Sequence, residues 1–188
     1  MRAFLAVEFP ASVLASLAEL TAALKAEAVQ AKWVTPDQMH VTLKFFEDLS
    51  DAQRQSVDKA VENACMETPP FPLAVRGSGG FGSGEALRVI WAGVEDEAGK
   101  LASFAERLAA SLEKIGFSRE DRPFRPHVTL CRFRQPNRSA ELKARLESLK
   151  RFDGGSFQVS EAALFSSMLR QSGPVYTRLQ RYPLRTGL

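Results

Sequence analysis

The sequence contains two histidines, and the same three residues follow each: His40-Val41-Thr42-Leu43 and His127-Val128-Thr129-Leu130. With ordinary residue usage, chance would repeat that triplet after the second histidine with odds on the order of 10⁻³ to 10⁻⁴. Pro36 precedes the first motif and Pro126 the second, while Lys44-Phe45 and Arg132-Phe133 put a basic residue and a phenylalanine after each. Alternate side chains of a strand share a face, so each motif presents an imidazole beside a hydroxyl, with Val and Leu turned toward a core. Two such strands facing across a cleft would oppose two imidazoles with two hydroxyls between them. A phosphodiester suits that arrangement. One imidazole deprotonates an attacking water or hydroxyl, the other protonates the leaving oxygen, and Thr42 and Thr129 hydrogen-bond the non-bridging oxygens. Because free histidine titrates near 6.5 and the chemistry needs one ring neutral and one protonated, a bell-shaped pH dependence is expected.

The competing reading makes both histidines structural, on strands that merely share good strand sequence; the repetition and the neighbouring arginines argue against it. Catalytic zinc takes three protein ligands, and two separate histidines supply two, so neither metal nor other cofactor is expected. Arg119, Arg122, Arg125, Arg132, Arg134 and Arg138 crowd the second motif. Arg125 and Arg132 are candidate substrate contacts, as forked donors suited to phosphate oxygens, although strict alternation turns Arg132 away from His127 unless a bulge intervenes. The same alternation puts Cys131 on the face of His127 and Thr129. The first motif has Lys44 there instead, so Cys131 reads as cleft-wall filler and Lys44 as a further positive charge beside phosphate.

These residues need strands to hold them. Residues 2–9 read as a strand ending at Pro10, 11–30 as a helix, 38–46 as a strand after the Thr35-Pro36-Asp37 turn signal, and 50–65 as a helix opening on a Ser50 cap. Residues 71–77 and 87–94 read as paired strands flanking a glycine-rich mobile connection with Phe81 at its tip as a surface aromatic. A long helix follows over 96–116, stopped by Gly116, then a strand at 127–134, a helix at 139–150 and two strands around 156–167 and 174–182. Gly77, Gly79 and Gly82 match GxGxxG, but a strand follows them where a dinucleotide site needs a helix, so that site is rejected.

At 188 residues the chain has the length of one domain or two intimately joined lobes. Its 45% hydrophobic and 25% charged residues are those of a globular protein, which excludes disordered and collagen-like classes. No apolar run is long enough for a membrane span, and residues 1–10 do not form a signal-peptide core, so a cytoplasmic protein without a membrane partner is expected. Cys65 and Cys131 are too few for a disulfide framework and are expected as free thiols. A net charge of +3 and a pI of about 9.0 mildly favour an anionic partner.

The paired motifs, HVTLKF at 40–45 and RPHVTLCR at 125–132, resemble those of the two-histidine (2H) phosphoesterase superfamily. Within it the chain is similar to the RNA 2′,3′-cyclic phosphodiesterase branch, also called 2′-5′ RNA ligases, and the opening 2–10, the segment 33–50 and the run 87–94 extend the similarity over nearly the whole chain. The resemblance implies a bilobal, pseudo-twofold α+β fold, with two antiparallel sheets lining a central cleft and helices outside, as a single domain over 1–188. It implies metal-independent hydrolysis of a terminal RNA 2′,3′-cyclic phosphodiester to a 2′-phosphomonoester, with 2′-5′ ligation in the reverse sense. His40 would be the proton donor, His127 the proton acceptor, and Thr42 and Thr129 the phosphate-binding residues; the residues alone give the pair without that polarity. The partner would be RNA or an oligonucleotide with a 2′,3′-cyclic phosphate end, and the protein a monomer. Two other readings stay open: an RNA-end binding module without turnover, and a 2H phosphodiesterase acting on a non-RNA cyclic phosphate or on 2′-5′ oligoadenylate.

Overall fold

In the computed structural model, which describes residues 1–28, 30–83, 86–120, 123–171 and 173–185, two antiparallel sheets carry one HVTL motif each. The first motif opens β3 (His40–Phe46), an edge strand paired with β1 (Ala3–Glu8). The β1 strand continues the sheet to β8 (Glu161–Arg170) and β9 (Gly173–Pro183). The second motif opens β6 (His127–Asn137), which lies between β2 (Ala31–Trp33) and β5 (Ala86–Glu95). Beyond β5, the sheet runs through β4 (Phe71–Ser83) to β7 (Asp153–Val159).

Four helices among the described residues supply apolar stripes for the backs of these sheets. The helices α1 (Ala11–Lys25) and α4 (Ala140–Ser148) touch each other and lie against β7 and β4 respectively. The helix α2 (Asp51–Met66) packs on β9, and α3 (Lys100–Glu113) bridges α2 and β4. Ser50 caps α2 as expected, its hydroxyl accepting from the Gln53 amide, and the helix buries Val57, Ala60, Val61, Ala64 and Cys65. The expected start of α3 shifts because Asp96 acts as an external cap: its carboxylate accepts from the Lys100 and Ala102 amides at 2.8 and 2.9 Å. No helix among the described residues is long and apolar enough to cross a membrane.

The glycine-rich segment is where the sequence reading needs correction. It is no mobile connection, since β4 continues through it to Ser83 paired with β5, with register shifts between Val75 and Ser78 and between Phe81 and Gly82. The glycines allow this pairing to be close: a Cβ on Gly79 would stand 2.5 Å from the Trp91 ring, and one on Gly82 would stand 1.8 Å from the Ala86 carbonyl oxygen. Phe81 is consequently held on a strand, its ring 5.4 Å from that of Trp91, rather than waving at a tip. The run 156–167 is also two strands, not one. It breaks at Ser160, where the chain leaves the five-stranded sheet as β7 and joins the four-stranded sheet as β8.

Candidate active site

Each histidine is the first residue of its strand, and in each case the backbone two residues upstream sets the ring. The Nδ1–H of His40 donates to the Gln38 carbonyl at 2.7 Å, and that of His127 donates to the Arg125 carbonyl, also at 2.7 Å. A carbonyl can only accept, so both rings are held in the tautomer whose Nε2 is left free for substrate. Gln38 is itself fixed: the turn Pro36–Gln38 is closed by a capping box with Thr35, and the Gln38 side chain donates to the Pro174 carbonyl at 2.7 Å.

Both motifs also share a defect in register. In β3 the partners run Leu5 with Lys44 and then Ala6 with Thr42, which leaves Leu43 as the extra residue of a bulge. In β6 they run Ile90 with Cys131 and then Trp91 with Thr129, which leaves Leu130 as the extra residue. A bulge resets alternation. In the second motif it turns Cys131 into the core beside Val128 and Leu130, and Arg132 outward onto the His127 face. The bulge that Arg132 needed is therefore present, and the placement of Cys131 on the cleft wall is wrong: its thiol is fully buried and burial pushes it up to about 12, out of reach as a nucleophile. Cys65 is likewise a buried free thiol.

His40, Thr42, His127 and Thr129 all line one cavity of about 350 Å³, together with Lys44, Arg125 and Arg132. Lys44 reaches it with its charge already engaged, since the ammonium donates to the Ser118 carbonyl at 2.8 Å and to the Glu120 carboxylate at 2.7 Å. The arginine cluster thins out. Arg119 is bound by Glu106 and Glu113, Arg134 and Arg138 are exposed away from the cavity, and Arg122 lies outside the described residues. Arg125 and Arg132 remain, both exposed at the mouth.

Aromatic residues that the sequence reading did not single out surround His40. Phe4 stacks on its ring at 4.5 Å with an interplanar angle of 22°, and Tyr176 meets it edge-on at 5.6 Å. Phe45 and Phe165 complete the nest around Phe4. These residues come from four different strands, so no local pattern announces them; the one signal is that β1 is apolar at nearly every position, which requires cover on both faces. Burial in this nest lowers His40 from its ordinary value to about 4; the Gln38 carbonyl and the Glu8 carboxylate oppose the shift, while Arg132 and His127 add to it. An ordinary titration for both histidines was the sequence expectation. In the protein alone His40 is instead neutral at neutral pH.

Among the described residues, no three histidine, cysteine, aspartate or glutamate side chains are grouped to hold a metal ion. The motif residues and the two arginines bring two imidazoles, two hydroxyls and two guanidiniums to this cavity, which can transfer protons to either side of a phosphorus atom and neutralise its oxygens. For substrates with several phosphates, neutral replacements at both Arg125 and Arg132 are expected to raise KM about tenfold and to flatten its salt dependence, measured across a salt series.

The family model for the 2′-5′ RNA ligase superfamily matches residues 9–168. A protein of Methanothermobacter thermautotrophicus named RNA 2′,3′-cyclic phosphodiesterase is 32% identical over 184 residues, 98% of this chain and 99% of its own. One of the same name from Aquifex aeolicus is 32% identical over 173 residues, covering 90% of this chain and 92% of its own. A crystal structure from Thermus thermophilus superposes with a TM-score of 0.85 at 30% identity, covering 99% of both chains.

Proposed function

The chain belongs to the 2′-5′ RNA ligase superfamily, and from that premise we propose that its cleft opens terminal RNA 2′,3′-cyclic phosphates to 2′-phosphomonoesters, as an RNA 2′,3′-cyclic phosphodiesterase working by paired-histidine acid-base catalysis. The observation that carries this is the matched posture of the two rings. Both Nδ1 atoms are spent on a backbone carbonyl and both rings line one cavity, so the two Nε2 atoms are the proton-transfer atoms.

His127 Nε2 takes a proton from water as its oxygen bonds to phosphorus. His40, which takes up a proton at Nε2 when the phosphodiester anion sits against its ring, gives that proton to the 3′-oxygen as the bond from phosphorus to that oxygen breaks. The family resemblance supplies this polarity. Thr42 and Thr129 donate to the non-bridging oxygens, and Arg132 balances the charge that gathers there. Equivalent bulges, equivalent Nδ1 bonds and one motif per sheet support reading 1–188 as one domain of two pseudo-symmetric lobes. All four motif residues line a cavity within a single chain, which supports a monomer as the working unit.

Incubation of RNA bearing a defined 2′,3′-cyclic end, in EDTA, tests the reading: the expected product is a 2′-phosphate with unchanged rate. Activity lost in chelator and restored by zinc or manganese overturns it, and tight binding without turnover would make the protein an RNA-end binding module. Thr42→Ala and Thr129→Ala each remove one hydrogen bond to a charged oxygen, worth about 1.5–3 kcal/mol, so kcat/KM should fall by about ten- to a hundredfold in steady-state assays.

A further inference from the structure

The bulge at Leu43 acts on the first motif as the bulge at Leu130 acts on the second: the fifth residue after the histidine turns onto the cleft face. In the second motif that residue is Arg132. In the first it is Phe45, which stands opposite Phe4 in the pairing of β3 with β1. Among the described residues Phe45 is the only aromatic side chain that is largely exposed, at 55%. Its ring forms a ridge, with the catalytic cavity on one side and hollows of about 270 and 460 Å³ beside it. Phe4 touches both rings, 4.5 Å from His40 and 5.7 Å from Phe45, so a single nucleoside can span the separation between this ridge and the proton donor.

In a 2′,3′-cyclic phosphate both ester oxygens of the ring belong to one ribose. The nucleoside therefore lies on the side of the leaving oxygen, with His40, and the opposite histidine faces water. We propose that Phe45 is the platform on which the base of that nucleoside stacks, which makes the substrate a nucleoside or RNA cyclic phosphate of any base and not the cyclic phosphate of a plain sugar. Every base has a π-face, and stacking one on an aromatic side chain is worth about five- to a hundredfold in affinity. The side chains lining this end of the cavity do not choose among bases. Lys44 already donates to Ser118 and Glu120, Gln38 donates to the Pro174 carbonyl, and a hydroxyl such as that of Tyr176 both donates and accepts. Phe81, the ring edge-on to His127 at 5.1 Å, lies on the water side and contributes nothing to this preference.

The proposal rests on the cyclic phosphodiesterase reading and on His40 as the donor, and one experiment separates their failures. Steady-state hydrolysis is measured for the four common nucleoside 2′,3′-cyclic phosphates and for methyl riboside 2,3-cyclic phosphate, which keeps the reacting ring and has no base. The wild type should favour the nucleosides at least tenfold in kcat/KM, with the four bases within about tenfold of one another. Phe45→Ala should erase most of that preference by raising KM for the nucleosides about tenfold, while kcat stays within about threefold and the methyl riboside reacts as before. Phe45→Trp should keep the preference. The baseless substrate also reports on folding, since damage to the site slows its hydrolysis too. If Phe45→Ala slows all substrates equally, the ring is structural and the proposal is overturned. A preference that survives Phe45→Ala, or that Phe81→Ala removes instead, overturns it as well, and so does a wild type that takes the methyl riboside at least as readily as the nucleosides. No hydrolysis of any of these substrates by the wild type would instead remove the reading beneath it.

Discussion

Replacing either His40 or His127 with alanine is expected to lower kcat on 2′,3′-cyclic phosphate ends by about 10²- to 10⁴-fold, the usual contribution of a positioned proton-transfer group. The two losses differ in kind. A donor is needed only when the leaving oxygen is a poor one, so a phosphodiester with an acidic phenol leaving group should restore most of the rate of His40→Ala and little of that of His127→Ala. The opposite pattern reverses the polarity that family resemblance supplies, and wild-type turnover in both variants removes acid-base catalysis from the cleft. His40→Ala also removes one of the two rings stacked on Phe4, so thermal melts of both variants accompany the kinetics. A folded protein with lost kcat is the expected combination.

The site was legible in the sequence to the extent that it depends on composition and short-range order. The repeated tetrapeptide identified four cavity residues, and alternation turned His40 and Thr42 together, as it did His127 and Thr129. Helix caps such as Ser50 announced themselves for the same reason, since a cap is a local bond. What escaped depends on pairing between distant segments. The bulge at Leu130 lies in the pairing of β6 with the distant β5, and no residue within 127–134 announces it, yet it exchanges the faces of Cys131 and Arg132. The glycines of β4 look like a loop until Trp91 and Leu87 are seen filling the space above them. Phe4, Phe45, Phe165 and Tyr176 come together only when β3, β1, β8 and β9 are in order. That nest then changes chemistry rather than shape alone, because it is what desolvates His40.

Desolvation leads to the last expectation: binding of a phosphodiester anion should be accompanied by proton uptake at His40. In the protein alone the ring is held to about 4, chiefly by burial, with Arg132 and His127 adding repulsion. A diester seated between the histidines brings a negative charge against the ring, offsets both guanidinium and imidazole, and favours the charged form. The affinity for protons is then higher in the complex than in the free protein. Between about pH 4 and the ordinary histidine range near 6.5, the complex therefore carries more protons, and the anion must bind more tightly as pH falls, by up to about tenfold per unit. Over that window the limit is more than a hundredfold. The probe is a dinucleoside monophosphate lacking the hydroxyl beside its phosphate, which stays intact and keeps one negative charge throughout the window. Calorimetry in two buffers of different ionisation enthalpy reads the proton directly, and titrations from pH 4.5 to 7 read the slope. His40→Gln should remove most of both. An affinity in the wild type that is flat across the window would mean that the substrate does not charge His40, and the proton donor would have to be sought at His127.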